Sequence, residues 1–199
     1  MNCKKHNVIM TANPTEESMQ LYRMTKDISK DINMNLRQFR SNDEEVNSAI
    51  ATADVSPNPQ PKVLGILWTT EKDTLTIKCN YPTKNKYTKR TVSEQVSSIY
   101  DPHGWLSKLT LAGKLFFQQL WKQNYEWDTP LSPKHQNRWK EIIDGAQGFQ
   151  HEMPRQAAVL GQRAIIVAFS DASNQCAAAC AYIIQHHVQH QRCCWGKAN

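Results

Sequence analysis

Apolar residues recur along the chain with a period that changes from segment to segment, and each change marks an element. Leu21, Met24 and Ile28 stand at i, i+3 and i+7, one face of a helix that opens at Thr11 or Asn13 before Pro14 and carries Glu16 and Glu17 in its first turn. This helix is expected to close near Ile32, after which Met34, Leu36 and Phe39 read as a short strand. Ser41 to Pro61 is polar, contains Pro57, Pro59 and Pro61, and reads as a loop or linker. Lys62 to Trp68 and Thr74 to Cys79, joined by Thr-Thr-Glu-Lys-Asp, predict a β-hairpin whose second strand alternates as a half-buried strand does.

Helical spacing takes over after Tyr87. Val92, Val96 and Ile99 share a face, and Asp101-Pro-His-Gly104 stops the segment with a helix-incompatible proline and a permissive glycine. From Trp105 to Trp121, Leu109, Ala112, Phe116 and Leu120 line one side, while Leu106, Leu115, Phe117 and Trp121 carry the apolar surface around the cylinder, so this helix has to be buried on more than one face. A third helix opens with Ser132 as N-cap and Pro133 at its first position, places Trp139, Ile142, Ile143 and Ala146 together, and ends at Gly145 and Gly148. Strand chemistry then returns in Ala164 to Phe169, Cys176 to Ile184 and Gln191 to Trp195. Their short connections predict an antiparallel meander with Asp171 at its first turn.

Composition adds bounds. The chain has 199 residues, of which 40% are hydrophobic, enough for one domain and part of another with a real core. No run approaches the roughly 18 apolar residues of a membrane span, and Met1-Asn-Cys-Lys-Lys-His-Asn7 leads into only a few apolar residues, so neither an export signal nor a membrane partner is expected. The six cysteines form no CxxC pair, which favours reduced thiols and an intracellular setting over a disulfide framework. Net charge is +6, and its surplus lies in the middle: 7 basic and 8 acidic residues precede Lys62, 13 and 6 run from Lys62 to Lys140, and 4 and 4 follow. The densest cluster, Lys84, Lys86, Lys89 and Arg90 beside Tyr81 and Tyr87, is a candidate phosphate-contacting surface; a solvated lysine-rich turn would read the same way.

Asp171, at the end of the run Ala-Ile-Ile-Val-Ala-Phe-Ser-Asp, is the candidate for metal chemistry. Two-metal phosphoryl chemistry needs several carboxylates around ions about 4 Å apart, and no Asp or Glu follows Asp171. A turn-capping role would also explain an Asp there. The tail Gln185-His-His-Val-Gln-His190 with Cys193 and Cys194 lacks CxxC or HxxxH spacing and reads as a polar hairpin turn before it reads as a zinc site. A triad drawn from Ser170, His103 and Asp101 has no Gly-x-Ser-x-Gly elbow behind it.

Four separated motifs, Val63-Leu-Gly-Ile-Leu-Trp68, Thr88-Lys-Arg-Thr-Val-Ser-Glu-Gln-Val-Ser-Ser-Ile-Tyr-Asp-Pro-His-Gly-Trp-Leu-Ser107, the Leu-Trp and Glu-Trp-Asp of Phe116 to Trp127, and Phe169-Ser-Asp-Ala-Ser173, resemble in order and spacing the Pol polyprotein of BEL/Pao retrotransposons. The region is also called a Pao retrotransposon peptidase. The resemblance implies an α+β fold in three parts: residues 1–87 as the end of a reverse transcriptase palm with linker and β-hairpin, 88–150 as a helical thumb and connection, and 151–199 as an incomplete ribonuclease H-like sheet.

Departures from that pattern shape the expected function. The Tyr-x-Asp-Asp turn of such polymerases is replaced by Lys4, Lys5, His6 and Asn7, so no polymerase activity is expected. An aspartic peptidase would need Asp-Thr-Gly or Asp-Ser-Gly, and Asp144-Gly145 lacks the middle residue. By resemblance Asp171 is the first of four acidic residues of a ribonuclease H-type magnesium site, with its partners on elements the chain does not reach. The expectation is a retroelement Pol fragment without catalysis of its own, keeping weak affinity for RNA/DNA hybrid and acting with the rest of the polyprotein. Two alternatives stay open: a slice of an active, magnesium-dependent nuclease, with no cofactor held by the fragment itself, and a co-opted helical interaction module.

Overall fold

The computed structural model describes residues 8–12, 15–58, 60–159, 161–185 and, as strand backbone, 192–198. It is a mixed helix and sheet structure. The described residues fall into two compact units, one of residues 1–76 with 152–155 and one of 77–151 with 156–199.

In the first unit, α1 (Thr15–Asp31) follows the expected span, with Glu16 and Glu17 at its start and Lys30 at its end. Its apolar stripe does not face inward: Met24 and Ile28 are exposed, and the inner side is polar. The Tyr22 hydroxyl donates to Asp54 Oδ2 at 2.8 Å and the Lys26 ammonium to Asp54 Oδ1 at 2.9 Å, while Tyr22 meets Phe39 edge to face. A buried carboxylate must be paired. Its two partners therefore fix the rotation of α1 and leave the apolar stripe to solvent. Both hydrogen bonds also hold the Asp54 carboxyl below the usual carboxylate range, the Lys26 bond most.

Two expectations fail here. Met34 to Phe39 forms no strand beyond an isolated bridge of Phe39 to Val55. The predicted loop contains a helix, α2 (Glu44–Ala49), capped by Asp43 through the Glu45 N–H. Six residues are too short to show a 3.6-residue period.

The predicted first hairpin strand is two strands. β1 (Lys62–Val63) and β2 (Ile66–Thr69) turn at Leu64 and Gly65, both left-handed with φ of 50° and 83°. Two consecutive residues of positive φ make the tight turn that matches strand twist, and glycine takes the second at no steric cost. β2 then pairs antiparallel with β3 (Thr74–Cys79), and β4 (Phe149–Pro154) completes the sheet in the order β1-β2-β3-β4. No apolar alternation announced β4, whose sequence is Phe-Gln-His-Glu-Met-Pro.

The second unit carries the main core. α3 (Lys89–Ser98) starts with a reciprocal cap between Thr88 and Thr91; α4 (Ser107–Lys122) and α5 (Pro133–Asp144) follow at the predicted places. Val92, Leu106, Phe116, Leu120, Leu131, Trp139 and Ile142 are buried together with Cys79 and Tyr81. Phe116 stacks on Trp139 at 5.3 Å, and Tyr81 meets Trp139 edge to face at 5.8 Å. Ser132 does precede α5, yet its hydroxyl lies 3.0 Å from His135 Nδ1 instead of capping the backbone.

The last three strands, β5 (Ile165–Ala172), β6 (Ala177–Ile184) and β7 (Arg192–Ala198), form the antiparallel meander read from the sequence, but β5 runs past the expected end at Phe169, so Asp171 pairs with Ala178 in the ladder and is not at the turn. Ile166 is 72% exposed and Phe169 59%, so much of the apolar surface of β5 meets solvent.

Candidate functional site

Alternation along β5 puts Ile165, Val167, Phe169 and Asp171 on one face. Across the ladder these pair with Ile184, Tyr182, Cys180 and Ala178. Asp171 is exposed, one residue short of the strand end, and its Oδ1 accepts the backbone N–H of Ala172 at 2.9 Å. Its neighbours on the face are apolar or small, so nothing polar from β6 shares its position. Among the described residues no group of three His, Cys, Asp or Glu side chains is gathered to hold a metal ion. One carboxylate cannot position a pair of divalent ions, so Asp171 by itself does not make a two-metal centre.

The four predicted cations are placed very differently from one another. Lys84 Nζ lies 2.6 Å from Glu94 Oε2 at a half-exposed position. Lys86 is exposed. Arg90 makes a two-pronged pair with Asp128, from Nε at 2.7 Å and from its terminal nitrogen at 2.9 Å, and the pair holds the Asp128 carboxyl below the usual carboxylate range and raises the guanidinium further. Lys89 is turned inward and only 4% exposed. Its ammonium lies 3.3 Å from the centroid of the Trp121 ring and 5.0 Å from that of Trp127, and it donates to the Tyr125 carbonyl at 2.9 Å. A buried ammonium needs such partners, and aromatic faces with a carbonyl supply them without a counter-charge. Three of the four side chains therefore remain within reach of a phosphate.

The other candidates are not assembled. Asp101 Oδ2 accepts the Leu106 N–H at 2.9 Å, and His103 packs on Trp105 at 4.6 Å, so both serve the turn into α4, while Ser170 sits inside β5. Asp144 is the last residue of α5 and Gly145 its C-cap. Cys79, Cys176 and Cys180 are free thiols, and burial pushes the Cys79 thiol up. His186, His187 and His190, the side chains of Cys193 and Cys194, and Lys4 to Asn7 lie outside the described residues.

Sequence reasoning missed the aromatic surround of Lys89 and the acidic partners of Lys84 and Arg90. Glu94 falls within α3, but Asp128 lies 38 positions from Arg90, a separation at which no local pattern pairs charges. A family model described as the Pao retrotransposon-like RNaseH-like domain matches residues 88–194, more than half of the chain, from the N-cap of α3 into β7. No curated protein and no solved structure matches the chain.

Proposed function

Because the chain belongs to the Pao retrotransposon-like RNaseH-like domain family, we propose that it is part of a retrotransposon Pol region that holds nucleic acid without cleaving it by its own residues. Asp171 carries this reading. It lies within the matched span, yet no second carboxylate joins it in a metal-holding group among the described residues. Arg90, at the start of that span, and Lys84 and Lys86, just before it, would contact phosphates of an RNA/DNA hybrid. The proposal assigns residues 1–87 to the end of a reverse transcriptase palm, 88–150 to a thumb and connection, and 151–199 to the opening strands of a ribonuclease H-like sheet.

Binding through these cations is predominantly electrostatic, so hybrid affinity falls as salt rises, with a log–log slope of about −0.9 for each phosphate neutralised on a B-form duplex. Salt-independent binding, or none at low ionic strength, overturns this reading.

The exposure of Asp171 supports a second reading, in which residues outside this sequence complete a magnesium site around it. Magnesium would then activate and orient the water that attacks the RNA strand. Incubating RNA/DNA hybrid and magnesium with the chain extended through the sequence that flanks it in its reading frame separates the two. No cleavage fits the first; magnesium-dependent cleavage that disappears in Asp171→Asn establishes the second.

A further inference from the structure

Trp121 lies in the last turn of α4, and Trp127 lies between α4 and α5; they are 49% and 38% exposed. The rings meet edge to face at 5.4 Å and 88°, and Phe117 borders both at 6.2 and 6.5 Å. Exposed indoles side by side form the kind of apolar patch that marks a binding surface. One face of Trp121 is already taken, since Lys89 Nζ sits 3.3 Å from its centroid. About half of Trp121 still meets solvent.

The buried ammonium decides what the exposed part of the indole accepts. A cation is drawn to the negative face of an aromatic ring by the ring quadrupole. Lys89 already draws on that density from below and repels a second positive charge from above, so a methylated lysine or other ammonium ligand is a poor occupant. Proline-rich peptides, which lay weakly positive C–H groups on aromatic grooves, lose part of the same attraction. A neutral planar ring that stacks by dispersion loses least, and a nucleobase is such a ring.

Two exposed lysines near the indoles suit a nucleotide's phosphates, with exposed Glu126 beside Trp127 opposing them. The Arg90 guanidinium lies 5.6 Å from the Trp127 ring and shares its charge with Asp128. Lys86, close enough to lower the Asp128 carboxyl further, and Lys122, next in the chain to Trp121, are exposed. Aromatic rings flanked by lysines are how single-stranded nucleic acid is held without sequence preference. In a duplex the base faces are covered by one another, so only unpaired bases can reach the indoles.

We infer that Trp121 and Trp127 form a stacking platform for unpaired nucleotides, with Lys86 and Lys122 on the flanking phosphates. This rests on the reading above that the chain holds nucleic acid, and adds which strand form this surface takes.

The full chain is titrated with a short oligouridylate, with an abasic sugar-phosphate oligomer of equal length and charge, and with RNA/DNA hybrid, following tryptophan fluorescence and anisotropy. Base stacking predicts about 5- to 150-fold weaker binding of the abasic oligomer. Equal affinity for the two single strands overturns the platform while hybrid binding leaves the electrostatic reading intact; no binding by any of the three overturns both. Photocrosslinking of a 4-thiouridine oligomer to the wild-type chain is expected on the peptide holding Trp121 or Trp127, and crosslinks confined to other peptides overturn the placement. Trp121→Leu, compared at matched melting temperature, is expected to weaken the oligouridylate and to spare the hybrid.

Discussion

Lys89 and Trp121 are joined face to cation, with Nζ 3.3 Å from the ring centroid, so one side chain ties the start of α3 to the end of α4. Lys89→Met keeps the stem and removes the charge. The variant loses a desolvated cation–π contact and the bond to the Tyr125 carbonyl, and it is relieved of a buried charge. The first two effects outweigh the third because the ammonium is well partnered. A net loss of about 1–3 kcal/mol is expected in a denaturant titration, and unchanged stability would show that the cation contributes nothing net.

Gln95 is the polar centre of the same unit. Its Oε1 accepts the Trp139 indole N–H at 2.9 Å, and its Nε2 donates to the Pro82 carbonyl at 2.8 Å, at a site 1% exposed. Gln95→Leu strands both groups away from water. Each buried unsatisfied group costs about 1–3 kcal/mol, so a loss of about 2–6 kcal/mol is expected for the two. A loss below that range would mean that water enters to replace the amide.

The Tyr81 hydroxyl is buried without a hydrogen-bond partner among the described residues, close against Gly113, and burial pushes the phenol up to about 12. The unfolded phenol ionises near 10, so above that pH the unfolded chain releases a proton that the folded chain keeps. Stability is therefore present below pH 10 and falls as pH rises toward 12. Tyr81→Phe removes an unsatisfied hydroxyl and this dependence together. The variant is expected to melt at or above the wild-type temperature at neutral pH and to show a shallower alkaline loss, and an equally steep loss would place the ionisation elsewhere.

Ile166 and Phe169 leave apolar area open on β5. Concentration-dependent self-association through this sheet is expected in sedimentation velocity, with Ile166→Lys weakening it and leaving the melting temperature nearly unchanged, since an exposed position carries little packing. Association indifferent to this substitution would assign it to another surface.

Much of the fold was legible. α3, α4, α5 and the β5–β6–β7 meander fall where period and punctuation placed them, because these segments are long enough for repeated apolar positions to outweigh local noise. Short elements were not legible: α2 has too few residues for a period, and β4 has no alternation because its sequence is largely polar. The split of the first hairpin strand at Leu64 and Gly65 was hidden by a continuous apolar run that reads equally well as one strand.

The sequence by itself determined which segments are helices and strands of sufficient length and where the positive charge concentrates. Only the tertiary structure decided which way side chains face. Met24 and Ile28 point outward because Tyr22 and Lys26 must satisfy the Asp54 carboxylate. Lys89, one of four neighbouring cations in the sequence, is buried because two indoles and a carbonyl from distant positions converge on it. Burial and pairing arise between residues far apart in the chain, and a local pattern holds no record of which distant partner will come within 3 Å.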